Sequence, residues 1–176
     1  PGLLVECRAL DDLSRSFGAT IDGIVGMDIL SRTVLSLNFD EGSVTLHAPD
    51  YEPNGDAKAA RLYCMPRPYV DFETGGRRVL ALVDTGSRFE FDLRKDTLHG
   101  LCERGDAILL SQLKHVSAYG VRDARWGLLV AGGWGGSQHA LVHVLEQPND
   151  DRDVDGSLGM QFLARYNTTL QFGKSR

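Results

Sequence analysis

Apolar and polar residues alternate in several short runs. Leu35 to Phe39, Ser43 to Leu46 and Thr168 to Phe172 follow the period of two that marks a half-buried strand. Val79 to Val83 is continuously apolar, fit to run through a protein interior. Asp40-Glu41-Gly42, between the first two runs, predicts a hairpin turn. Helical patterns are short: Gly26 to Arg32, Leu93 to Cys102 and Gly159 to Tyr166. The chain therefore reads as all-β with a few short helices. Ala48 to Ala60 carries Pro49, Pro53 and Asn54-Gly55, and predicts a linker over 48–60. Asn149 to Asp153 predicts an acidic loop before the last helix.

One stretch occurs twice. Ile21-Asp-Gly-Ile-Val-Gly-Met-Asp-Ile-Leu-Ser-Arg32 aligns with Val154-Asp-Gly-Ser-Leu-Gly-Met-Gln-Phe-Leu-Ala-Arg165, at a constant offset of 133 residues. Asp22, Gly23, Gly26, Met27, Leu30 and Arg32 recur as Asp155, Gly156, Gly159, Met160, Leu163 and Arg165. The following strands align too, Leu37 on Leu170 and Phe39 on Phe172. Eight identities without a gap mark a duplicated unit: glycine turn, short helix, strand. The chain then divides into 1–47, the tail of one unit, and 61–173, a whole copy of a second.

Composition narrows the function classes. A chain of 176 residues, 42% hydrophobic, builds one domain or two small lobes with a real core. The net charge is −5 and no Lys/Arg cluster occurs, which argues against a nucleic-acid partner. No apolar run reaches the ~18–20 residues of a membrane span; the most apolar window, Trp126 to Leu145, is broken by glycines and histidines. Three cysteines, Cys7, Cys64 and Cys102, form no CxxC spacing, against a disulfide scaffold or a zinc ribbon.

The chemistry centres on Val79-Leu-Ala-Leu-Val-Asp84-Thr85-Gly86-Ser87-Arg-Phe-Glu-Phe91. An apolar strand delivers Asp84 into a tight turn, with Gly86 permitting close backbone geometry. The second copy of the repeated glycine-helix element follows about seventy residues later. This ordering resembles the aspartic proteases of the pepsin and retropepsin type, most of all the compact bacterial retropepsin-like group. The resemblance implies an acid-protease fold: a closed-barrel lobe over 61–173 and a partial second lobe over 1–47. It implies peptide-bond hydrolysis by water between two aspartates that share a proton. Asp84 would be one of them, one member taking a proton from water while the other polarises the scissile carbonyl. Thr85 would lock the lobes across their interface, and the Gly86 N–H and Ser87 hydroxyl would donate to the carboxylate. A flap hairpin would span Ser117 to Trp126, with Tyr119 and Gly120 over an extended peptide substrate. A packed strand tyrosine is the competing reading of Tyr119. No cofactor and no metal are implied.

The chain departs from that pattern by holding one Asp-Thr-Gly. A second Asp-Thr-Gly lobe could come from an upstream segment, or from another copy in a homodimer. Alternatively, the chain only binds peptides or assembles.

Other motifs carry less. His139 and His143 have helical metal-pair spacing, but Ala-Leu-Val-His-Val reads as strand and no third ligand is evident. Asp151-x-Asp153-x-Asp155-Gly156 imitates a calcium loop, yet Phe162 stands where its bidentate glutamate belongs. Gly132-Gly-Trp-Gly-Gly136 lacks the Gly-Lys-Ser/Thr of a phosphate loop and predicts a turn between strands.

Overall fold

The computed structural model describes residues 7, 9–53, 59–64, 67–117, 120–134, 137–148 and 154–172. Tyr119, Asp151 and Asp153 lie outside them. In chain order the elements are α1 (Asp11–Phe17), α2 (Met27–Leu30), β1 (Val34–Asn38), β2 (Ser43–His47), β3 (Leu62–Cys64), β4 (Pro68–Thr74), β5 (Arg77–Val83) and β6 (Phe91–Arg94). Then come α3 (Lys95–Glu103), β7 (Ala107–Ser117), β8 (Gly120–Trp134), β9 (Ser137–Gln147), β10 (Gly156–Leu158), α4 (Met160–Leu163) and β11 (Thr168–Gln171). The protein is mostly sheet, as the alternation predicts. No described helix is long and apolar enough to cross a membrane.

The larger sheet runs β3-β4-β5-β10-β6-β9-β8-β7. Its strand β4 also pairs with β8 at Glu73–Gly133 and Thr74–Gly132, so the sheet curls back until distant strands touch. The short strand β10 lies parallel to β5 and antiparallel to β6. In β4, Val70 and Phe72 point inward, which is where the alternating pattern puts them. Phe72 stacks obliquely on Phe91 at 4.6 Å and meets the edge of Phe162 at 5.4 Å. Each of these rings is fully buried, a contribution of about 2–3 kcal/mol per side chain.

A smaller sheet runs β11-β1-β2. The predicted turn sits between β1 and β2, with Gly42 at φ 62° and the Asn38 side chain accepting from the Glu41 N–H. Leu35, Leu37, Leu170 and Phe172 join the same core as the larger sheet. The antiparallel register of β1 with β11 opposes Leu35 to Leu170, Ser36 to Thr169 and Leu37 to Thr168. Under the 133-residue repeat, Leu35 corresponds to Thr168 and Leu37 to Leu170. The repeat thus maps the pairing onto itself, the signature of a local two-fold axis between Ser36 and Thr169.

The described part of the predicted linker holds no helix or strand, but it is tethered. Tyr51 stacks on His47 at 3.7 Å, and its carbonyl accepts from Gln171 Nε2.

Candidate active site

Strand β5 ends at Val83 and releases Asp84 into the Thr85-Gly86-Ser87 turn. The Asp84 N–H donates to Leu158 O of β10, and the Gly86 N–H donates to Asp84 Oδ1 at 2.9 Å. The Ser87 N–H closes the turn on Asp84 O at 3.2 Å. Asp84 is half-buried, while Thr85 and Gly86 are exposed.

The repeated element clamps this loop from below. Met160 N–H donates to Ser87 O at 2.8 Å, and Gly159 N–H to Glu90 O at 3.0 Å. A Cβ on Gly159 would stand 2.2 Å from Phe89 O, and one on Gly156 would stand 2.0 Å from Asp92 O. Both glycines are therefore required by close backbone approach. Asp155, also in the repeat, ties β10 down: its carboxylate accepts from Leu80 N–H and Thr97 Oγ1. That is a structural role for a residue that also fits the imitation of a calcium loop.

The first copy has no such surroundings among the described residues. A Cβ on Gly23 would meet nothing, and one on Gly26 only the movable Asp28 side chain. Ile24 and Val25 are 68% and 58% exposed, whereas Leu158, the counterpart of Val25, is 0% exposed.

The Ser87 hydroxyl differs from the sequence expectation. It donates to Asp92 Oδ2 at 2.8 Å and not to Asp84, because β6 turns back beside the loop and brings Asp92 beneath it. Ser157 Oγ donates to the same oxygen at 3.3 Å. Asp92 is 3% exposed. Burial and the neighbouring Asp84 carboxylate push its pKa up to about 6, against the pull of the serine hydroxyls and the Arg122 guanidinium.

Glu90 is the second buried acid beside the loop. Its carboxylate accepts from the His143 N–H, faces His143 Nδ1 at 2.7 Å, and receives the Arg165 guanidinium through Nε at 2.8 Å and through Nη2. Burial alone would raise its pKa, but the His143 and Arg165 bonds outweigh it and hold the group below the usual carboxylate range. His139 and His143 both lie on strand β9 and not on a helix, so the helical spacing that suggested a metal pair does not apply.

The hairpin β7–β8 brackets the loop from the other side, with Ser117 paired to Gly120 at the end of its ladder. Gly120 opens β8 opposite Ser117; Tyr119, its expected partner over substrate, falls outside the described residues. His115 of β7 packs on Phe89 at 5.5 Å, which couples the hairpin to the loop. From the N-terminal side, Ser16 O accepts from Arg88 Nη1 at 2.8 Å, and the Arg88 guanidinium lies 5.7 Å from the Phe17 ring centre. Asp84, Thr85, Gly86 and Ser87 are therefore held together with Gly159. Asp92, Glu90 and His115 are additions that motif reading did not supply.

No family model and no curated protein matches the chain. Among solved structures it is similar to a retropepsin-like aspartic protease from Rickettsia conorii. The sequence identity is 18% and the TM-score 0.43, over 62% of this chain and 77% of that one.

Proposed function

We propose that the chain is the Asp84-bearing part of an aspartic endopeptidase, which hydrolyses peptide bonds with a water held between two carboxylates. The observation that carries this reading is the local two-fold between β1 and β11. Asp84's loop rests on Gly156 to Gly159; the same relation calls for an equivalent loop resting on Gly23 to Gly26. That surface is exposed and fits a strand pair like β5 and β6 with its own Asp-Thr-Gly.

On this reading 1–47 is the tail of one lobe, 48–60 the linker and 61–173 a complete lobe. The curled sheet, with β4 meeting β8, is that lobe's closed barrel. Strand β1 already fills the edge of β11 that a second copy's β11 would need. This favours a distinct completing lobe over a homodimer of Asp84 loops. Exposed Thr85 is free to reach across to such a lobe.

Two carboxylates around one water cannot both ionise, so one takes the water's proton and the other donates to the carbonyl oxygen. Gly86 N–H donates to Asp84 Oδ1 and fixes the orientation of the carboxyl. An extended substrate would pair its backbone with the β7–β8 hairpin, and Tyr119 and Gly120 are the residues proposed to cover it. Water is the nucleophile, so the reaction requires no metal or cofactor.

A second reading keeps the fold as a peptide-binding or assembly module, and the single Asp-Thr-Gly favours it. A peptide whose scissile amide is replaced by a hydroxyl-bearing carbon mimics the hydrated carbonyl. For the protein joined to its completing lobe, the protease reading expects it to bind more tightly than the plain peptide, with a loss of about tenfold or more in Asp84→Asn. Equal binding of both peptides, unchanged by the substitution, overturns that reading in favour of the module.

A further inference from the structure

Asp92 lies on the face of β6 opposite Phe91 and Leu93, beneath the Asp84 loop. Across the sheet its neighbours are Ser157 on β10 and Leu145 on β9. Both hydrogen bonds to its carboxyl arrive at Oδ2, from Ser87 and Ser157. Its other oxygen, Oδ1, is buried and has no hydrogen-bond partner among the described residues. An unpartnered buried anionic oxygen is costly, and protonation lowers the cost by removing the charge.

We propose that Asp92 is a positioning residue of the Asp84 loop, which it holds through Ser87 and whose geometry it makes dependent on its own proton. Two charged groups act on Asp92 from the elements around it, the Asp84 carboxyl and Arg122 of β8. Arg122 is itself engaged by Glu146 O and Gln147 Oε1, so it does not neutralise Asp92 by direct contact. Ser157 and Leu145 bring no charge. The group most exposed to Asp92's charge is therefore the Asp84 loop.

When neutral, Asp92 accepts an ordinary hydrogen bond from Ser87 and places no negative charge beside Asp84. When ionised, it strengthens the Ser87 bond and sets a second negative charge beside Asp84. Two states of one buried carboxyl thus give two settings of the turn. The consequence for catalysis rests on Asp84 being a reacting carboxylate; the coupling itself does not.

The test is a carboxyl and amide titration by NMR, which needs no substrate. The wild-type Asp92 side-chain carbon is expected to titrate well above the ordinary aspartate range, near pH 6. The amide signals of Gly86 and Ser87 are expected to inflect at the same pH. In Asp92→Asn, which keeps the size and an acceptor oxygen, that inflection disappears. Titration of Asp92 in the ordinary range, or loop amides that ignore its titration, overturns the proposal. The wild-type measurement decides even where the variant fails to fold. Loss of peptide cleavage or inhibitor binding leaves this result untouched, so the two readings fail separately.

Discussion

The hydroxyls of Ser36 and Thr169 meet at 2.9 Å, and the two residues are 133 positions apart, the offset of the duplicated element. Equivalent residues of the two copies therefore touch on the axis that relates them. His47 Nε2 completes the contact on Ser36 Oγ at 3.0 Å. Directly opposed antiparallel residues sit about 4.5–5.5 Å apart at Cα, within disulfide reach. The double variant Ser36→Cys, Thr169→Cys is expected to form an intramolecular disulfide on oxidation. Non-reducing gels read the outcome: a band at dimer mass, with no crosslinked monomer, would show instead that β1 and β11 pair between chains.

The matched glycines give a second prediction. Gly26 and Gly159 both have extended backbone, at φ −89° and −100°, so only space distinguishes them. Alanine at 159 collides with Phe89 O and is expected to cost about 2–3 kcal/mol through overpacking against main chain. Alanine at 26 displaces only Asp28 and is expected to stay within about 0.5 kcal/mol. Urea denaturation of the two variants measures the difference; equal losses would mean that the two elements are packed alike.

Glu90 holds Arg165 and His143 at once. Glu90→Gln leaves the Arg165 charge without its partner and weakens the bond to the His143 N–H. The expected loss is about 3 kcal/mol, the low end for a broken buried pair because Arg165 is partly exposed. Chemical denaturation near neutral pH checks it.

Asp92 and Glu90 make opposite contributions to the pH dependence of stability. Asp92 has a folded pKa raised from 3.8 to about 6, so between those values the folded chain binds more protons than the unfolded one. Its ionisation cost is absent below pH 4 and grows as pH rises toward 6, to roughly 3 kcal/mol. Glu90 and Glu146 are shifted down; their stabilisation is present above the ordinary glutamate value and fades as pH falls through their folded pKa. Stability is therefore expected to peak near pH 4–5. In Asp92→Asn the decline between about pH 4.5 and pH 6 should flatten. Denaturant midpoints across that range measure this, and an unchanged slope in the variant would contradict it.

The Asp84 strand, the duplicated turn and helix, and the Asp40 to Gly42 hairpin were all legible because each is a local pattern. Strand β6 was less legible: the helical pattern predicted from Leu93 begins at Lys95, and Leu93 and Arg94 belong to the strand. Glu90 and Asp92 alternate with Phe89, Phe91 and Leu93, a local pattern that leaves one face of the strand wet. Arg165, His143 and Ser157 come from more than fifty residues away to cover that face, and no local pattern announces them. The one available signal was the recurrence of Arg32 as Arg165, since a duplicated charge asks for a partner. Helix α1 was not foreseen because it buries no residue of its own. It is held by the Gly18 cap at φ 67°, the Asp12–Arg15 pair and Arg88.

The most direct measurement is cleavage of a mixed peptide library from about pH 3 to pH 7. It should be made on the protein together with whatever its gene encodes before residue 1, comparing wild type with Asp84→Asn. The account predicts cleavage on the acid side that is lost in the variant while its folding is unchanged. Cleavage that survives Asp84→Asn, or none in either protein, would contradict it.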